Sequence, residues 1–188
     1  NKKLVGVRDP YGIRPLILGK LKDSYILSSE TCALDIIGAE FVREIENGEV
    51  IVIDKNGIES IKPFPKVKPR PCVFEYVYFS RPDSIVGGKA VHEYRKRLGE
   101  QLSKEMKVEA DMVSAVPDSG IPAAIGYSNE SGIPYDMGII RNHYVGRTFI
   151  EPTQQIRQLG VKLKHNPNKE IIKNKKLILV DDSIVRGT

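Results

Sequence analysis

The chain has 188 residues, 40% of them hydrophobic and 28% charged, a balance that fits a water-facing globular protein and excludes a fibrous or disordered one. No apolar run reaches the roughly 20 residues of a membrane-spanning helix. No basic-then-apolar leader opens the sequence, so neither a membrane partner nor secretion is expected.

Residues 1–62 read as β-rich. Short apolar runs at residues 4–7, 15–18, 25–28 and 49–53 are punctuated by turn formers such as Asp9-Pro10 and Asn47-Gly48. Asn56-Gly57, set between two apolar stretches, predicts a hairpin. One short helix is expected over residues 31–37, with Ser29 or Thr31 as its cap and Gly38 as its stop. Pro63, Pro65, Pro69 and Pro71 then remove backbone donors and fix φ, which makes the stretch a linker.

Beyond it the period changes. Residues 73–79 form an aromatic, strand-like run. Residues 91–106 predict a helix, with Tyr94, Leu98, Leu102 and Met106 recurring every four positions. A strand is expected over 111–116 and a helix over 119–131 with Asp118 or Ser119 as N-cap, ending at Gly132. A buried strand is expected over 175–182. Strands alternating with helices argue for a parallel sheet with helices on its faces.

Charge and cysteine narrow the class further. The net charge of +5 is uneven: residues 141–176 carry nine Lys or Arg against Glu151 and Glu170, a local +7. Such a cluster suits a nucleic-acid face, a phosphate-rich small ligand or a solvated surface, and the last is the ordinary case. The two cysteines, Cys32 and Cys72, have neither disulfide-framework nor metal-finger spacing, and a reducing cytoplasm suits them. The chain opens on Asn1 rather than Met and stops at Thr188, and both ends are expected to be internal to a longer protein.

The chemistry concentrates where strands end. Leu177, Ile178, Leu179 and Val180 lead into Asp181, Asp182 and Ser183, then Arg186, Gly187 and Thr188. Ligands of open α/β sheets sit at the carboxyl ends of strands. Two adjacent carboxylates there suit ribose hydroxyls and a hard cation such as Mg²⁺. The loop after them offers backbone N–H groups and hydroxyls to a phosphate. A second strand–loop–helix junction carries Pro117, Asp118, Ser119 and Gly120, where a second anion such as pyrophosphate could sit; an ordinary capped helix is the alternative. A third stretch, Arg141, Asn142, His143, Tyr144, Val145, Gly146 and Arg147, is cationic and aromatic with a hinge-capable glycine. Such a loop can close over an anionic leaving group; the alternative is a solvated loop, and His143 receives no role. No Walker A loop occurs, which argues against a nucleoside triphosphatase.

The run from Val180 to Thr188 resembles the phosphoribosyl pyrophosphate motif of the type I phosphoribosyltransferases. With the runs at residues 8–16, 28–34, 73–84 and 144–150, in the same order, the chain resembles the glutamine phosphoribosylpyrophosphate amidotransferase family. The resemblance implies an α/β protein in two parts. Residues 1–68 would be the later half of an N-terminal-nucleophile glutaminase domain, with antiparallel β layers and helices. Residues 69–188 would begin a type I phosphoribosyltransferase domain, a parallel sheet flanked by helices. It implies ammonia transfer from glutamine to phosphoribosyl pyrophosphate, giving 5-phosphoribosylamine in the cytoplasm, with no nucleic-acid partner and a homo-oligomer at full length.

By resemblance, Ser119, Asp181 and Asp182 would contact Mg²⁺, and the two Asp the ribose hydroxyls. Ser183, Arg186, Gly187 and Thr188 would surround the 5′-phosphate, and Pro117, Asp118, Ser119 and Gly120 would hold pyrophosphate. Arg141, Tyr144 and Arg147 would belong to the closing loop, which also lines the ammonia path. Cys72 falls where some members place one of four [4Fe–4S] ligands. The family's N-terminal cysteine nucleophile and its glutamine-binding residues have no counterpart in this chain, so the chain alone is expected not to hydrolyse glutamine. The rivals are a salvage phosphoribosyltransferase, against which the glutaminase-like runs argue, and a non-catalytic regulator that uses the basic stretch on nucleic acid.

Overall fold

The computed structural model describes residues 2–144 and 160–184, and contacts divide the chain into two compact units, Asn1–His92 and Glu93–Thr188. The expected domain division near residue 68 was drawn from composition; compactness divides later, because residues 81–87 are tied by hydrogen bonds to Glu30, Thr31 and Glu44.

The first unit holds two three-stranded antiparallel sheets. Its strands are β1 (Leu4–Val7), β2 (Ile17–Leu21), β3 (Ser24–Ser28), β4 (Glu40–Glu44), β5 (Val50–Asp54) and β6 (Gly57–Ile61). The orders are β1-β5-β6 and β3-β2-β4. Leu18, Ile45 and Ile51 are buried together, with Leu16, Tyr25, Leu27 and Ile53 packed on them. The Asn56-Gly57 hairpin forms as expected, Asp54 facing Gly57 while the Asp54 carboxylate accepts the Asn56 N–H at 2.8 Å. Helix α1 (Thr31–Ile37) spans the expected residues and stops at Gly38 in the left-handed conformation. Its N-cap is Glu30, with no side-chain cap, rather than Ser29 or Thr31. The reason is competition: the Thr31 hydroxyl accepts the Ile85 N–H at 2.8 Å instead.

A buried charge network closes this unit. The Glu49 side chain is 1% exposed. It accepts two guanidinium N–H groups of Arg43 at 2.6 and 2.9 Å, the Ser60 hydroxyl at 2.7 Å and the Glu46 N–H at 2.6 Å. These donors, Arg43 first, lower its pKa from 4.5 to about 2. A lowered carboxylate pKa means stability that is full above the unfolded value and is lost as pH falls through the folded one. The loss therefore falls between about pH 5 and pH 2, and is on the order of 3 kcal/mol for this group. Glu49→Gln is expected to flatten the acid limb of the urea-unfolding stability profile in that window while lowering stability at pH 7. An acid limb identical to wild type would remove the assignment.

Residues 73–79 depart from expectation. The aromatic run forms a π-helical turn, Glu75–Phe79, not a strand. The buried Glu75 carboxylate explains it: Ser80 donates to it at 2.8 Å and Arg14 pairs with it, so the chain must curl around one acid.

The second unit is built on β9 (Met112–Ala115) and β12 (Leu177–Val180), which pair in parallel with Ala115 opposite Val180. Between the units' first and second sheets the short pair β7 (Ile85–Val86) and β8 (Lys89–Ala90) leads into α2 (Val91–Glu105). Helix α3 (Ile121–Ser131) follows β9; Ala124 and Tyr127 pack with Val113, Ala115 and Val180, and the Tyr127 hydroxyl donates to the Met106 carbonyl at 2.8 Å. The helix expected over residues 91–106 exists, but its buried stripe is Val91, Arg95, Gly99 and Ser103, whereas Leu98, Leu102 and Met106 are exposed. Small residues face inward because the backbones of α2 and α3 nearly touch: a Cβ on Gly99 would lie 1.8 Å from the Ala123 carbonyl oxygen, and one on Gly126 1.9 Å from that of Lys96. The remaining elements are the antiparallel pair β10 (Ile139–Arg141) and β11 (His165–Pro167), which the sequence reading did not anticipate, and the short α4 (Lys169–Ile172).

Candidate functional site

β9 and β12 deliver two loops to one edge. At the carboxyl end of the pair, the Val116 N–H donates to the Val180 carbonyl at 2.9 Å, so the chain after β9 is locked beside the first residue of the diacid. The following turn, residues 117–120, folds back tightly. The Gly120 N–H returns to the Val116 carbonyl at 3.1 Å and the Ile121 N–H to the Asp118 carbonyl at 3.3 Å. Those two donors are therefore engaged within the loop. A Cβ at Gly120 would meet the Val180 carbonyl oxygen at 2.6 Å, so only glycine lets this turn lie against the strand end.

The N-cap of α3 is Gly120 without a side-chain cap, not Asp118 or Ser119. The Asp118 carboxylate instead pairs with the Arg141 guanidinium, reaching across 23 residues. Arg141 ends β10 and stands opposite His165, the first residue of β11. The His165 ring takes a hydrogen bond to the backbone of Pro117, and burial, ahead of the Lys164 charge, holds its pKa below the ordinary histidine value.

On the other loop, the Asp182 N–H donates to the Asp181 carboxylate at 2.8 Å and the Ser183 hydroxyl to that of Asp182 at 2.6 Å. Burial, with the neighbouring Asp182 charge, pushes the Asp181 carboxyl up. Two acids side by side at a strand end form an electronegative point that a cation or a hydroxyl donor would relieve. Among the described residues no three His, Cys, Asp or Glu side chains converge on one point. Mg²⁺ does not require that, since it keeps waters and ligand oxygens and uses one or two carboxylates; the donor chemistry of Asp181 and Asp182 fits it.

Of the other expected site residues, Tyr144 is fully exposed. Arg147, Arg186, Gly187 and Thr188 lie outside the described residues. Cys72 is half-buried, with its N–H bonded to the Ile13 carbonyl at 3.0 Å; Cys32 is buried. A [4Fe–4S] cluster takes four thiolates, and this chain's donors do not fit one.

No family model matches the chain. Curated relatives match it from end to end. Amidophosphoribosyltransferase of Rhizobium etli is 61% identical over 191 aligned residues, covering 99% of the chain and 38% of that protein. The Mycobacterium bovis amidophosphoribosyltransferase is 57% identical, covering 98% of the chain and 35% of that protein. The chain belongs to the amidophosphoribosyltransferase family.

It spans little more than a third of the length of these family members. A solved glutamine phosphoribosylpyrophosphate amidotransferase of B. subtilis, complexed with ADP and GMP, matches at TM-score 0.89 and 47% identity, covering 99% of the chain and 41% of that structure. A second structure, described as the allosteric regulatory enzyme of purine biosynthesis, matches at TM-score 0.90 and 48% identity, covering the whole chain and 40% of its own. The antiparallel first unit and the parallel strands of the second are thus the amidophosphoribosyltransferase α/β architecture over this stretch. No helix among the described residues is long and apolar enough to cross a membrane.

The glutaminase-like runs carry structural duties. The Asp9 carboxylate accepts the N–H groups of Tyr11 at 2.9 Å and Ile13 at 3.0 Å, which shapes the turn after Arg8. Arg8 itself donates to the Ile45 carbonyl at 2.6 Å. Glu30 gathers the Arg81 N–H at 2.7 Å and the Ser84 hydroxyl at 2.8 Å.

Proposed function

We propose that the protein carrying this chain is a glutamine-dependent amidophosphoribosyltransferase. Ammonia released from glutamine attacks the anomeric carbon of phosphoribosyl pyrophosphate; the bond to pyrophosphate breaks, and 5-phosphoribosylamine, pyrophosphate and glutamate result. The observation that carries this reading is the strand-end diacid of β12 set directly against the glycine-tight turn after β9, in a chain 61% identical to an amidophosphoribosyltransferase.

In this reading residues 1–68 are the later half of a glutaminase domain and residues 69–188 the first part of a phosphoribosyltransferase domain. Asp181 and Asp182 accept the ribose hydroxyls and, with Ser119, hold Mg²⁺, which when bound offsets the charge of the departing pyrophosphate. Residues 117–120 orient the pyrophosphate. Ser183, Arg186, Gly187 and Thr188 take the 5′-phosphate. Arg141, Tyr144 and Arg147 belong to a loop that excludes water while positive charge meets the leaving group. The protein is cytoplasmic, homo-oligomeric and without a nucleic-acid partner. This stretch by itself, little more than a third of the relatives' length, is not active.

The full-length protein, given glutamine, phosphoribosyl pyrophosphate and Mg²⁺, is expected to release glutamate and pyrophosphate in equal amounts. Consumption of phosphoribosyl pyrophosphate only on addition of a free purine base, with glutamine ignored, would make it a salvage enzyme. No turnover, with a DNA or RNA affinity that falls steeply with salt, would make it a regulator.

A further inference from the structure

We propose that His165 is a positioning residue for the turn at residues 117–120, acting with its strand partner Arg141 as a two-point clamp on consecutive residues of that turn. The inference rests on the reading of that turn as the pyrophosphate site, and adds a residue that no sequence motif marked.

Arg141 and His165 face each other in the β10–β11 ladder. One pairs with the Asp118 carboxylate and the other bonds the Pro117 backbone. Proline has no N–H, so its backbone can only accept, and the imidazole must donate. The ring's Nε2 is buried without a hydrogen-bond partner, so the donor is Nδ1–H.

The clamp has a firm base. The Asn142 N–H donates to the Lys164 carbonyl at 2.7 Å just past the Arg141–His165 rung, and the Asn168 N–H to the Gly138 carbonyl at 2.9 Å at the far end. The Gly138 N–H donates to the buried Ser114 hydroxyl of β9 at 2.9 Å. The hairpin is therefore fixed to the same strand whose loop it grips. On its opposite side that loop is held by Val180 through Val116. A loop fixed on both sides presents its remaining polar groups to an anion without reorganising on binding.

The test combines a direct measurement with two variants in the full-length protein. Long-range ¹H–¹⁵N spectra of wild type are expected to show His165 protonated at Nδ1 and bare at Nε2; the opposite tautomer overturns the clamp, whatever the variants do. His165→Leu removes the donor, and His165→Asn keeps an N–H near the Nδ1 position. Binding of Mg²⁺–pyrophosphate is expected to weaken roughly three- to tenfold in His165→Leu and to return to within about twofold of wild type in His165→Asn. Equal affinities in all three proteins, or Asn falling as far as Leu while both melt cooperatively, overturn the proposal. Should His165→Leu fail to fold, the Asn variant and the tautomer decide it. Wild-type protein that binds neither pyrophosphate nor phosphoribosyl pyrophosphate would instead refute the functional reading, and the tautomer would still report on the clamp.

Discussion

Gly99→Ala and Gly126→Ala are each expected to lower the melting temperature of the second unit by on the order of 10 °C or more. Local propensity predicts the reverse, because alanine is the better helix former by about 1 kcal/mol. Tertiary packing overrides it. The added methyl carbon would stand 1.8 Å from the Ala123 carbonyl oxygen and 2.7 Å from its carbon, or 1.9 and 2.7 Å from the corresponding atoms of Lys96. These are backbone atoms inside helices, with no rotamer to move aside, so α2 and α3 must separate. Overpacking in a core costs about 1–3 kcal/mol, and a backbone collision lies at or beyond the upper end. For a unit of this size about 3 kcal/mol corresponds to the stated shift. Gly132→Ala is the control. Its backbone is left-handed at φ +73° and nothing lies within 4 Å, so it should cost about 1–2 kcal/mol of conformational strain alone. Thermal and urea unfolding of the three variants check the order. Gly99→Ala or Gly126→Ala as stable as wild type would mean that α2 and α3 do not cross this closely.

The second large effect is on ligand affinity. Asp181→Asn and Asp182→Asn are each expected to weaken Mg²⁺–phosphoribosyl pyrophosphate binding roughly ten- to a hundredfold, from about 1.5–3 kcal/mol per charged hydrogen bond. Each carboxylate has one oxygen tied into its own loop, to the Asp182 N–H and the Ser183 hydroxyl. A ribose hydroxyl must donate its proton, and a carboxylate accepts it more strongly than an amide. An amide also leaves the cation's charge without offset. Lys176→Ala is the comparison. Lys176 lies ahead of β12, where its N–H bonds Asp111 at 2.6 Å, at the end of the strand away from the diacid, and it should cost little. Titration of the full-length proteins separates the outcomes. Asn variants that bind like wild type would reduce Asp181 and Asp182 to an ordinary strand terminus.

Much of this protein was legible in its residues wherever the determinant is local. The helix at Thr31–Ile37 and its left-handed stop at Gly38, the Asn56-Gly57 hairpin and the strand leading into Asp181 follow from turn chemistry and periodicity within a few residues. Where one side chain had two suitors, the tertiary structure chose. Thr31 and Asp118 are good caps by residue type, yet Thr31 bonds Ile85 and Asp118 pairs with Arg141, partners 54 and 23 residues away. The aromatic run at residues 73–79 has the composition of a strand, but a buried Glu75 that needs Ser80 and Arg14 turns it into a π-helical turn. The face of α2 that packs inward was not readable from hydrophobicity, because it was set by how closely two glycine-bearing helices approach. His165 escaped notice for the same reason. It stands in no motif, and its place beside Pro117 exists only once β11 pairs with β10 and that hairpin is hung on Ser114.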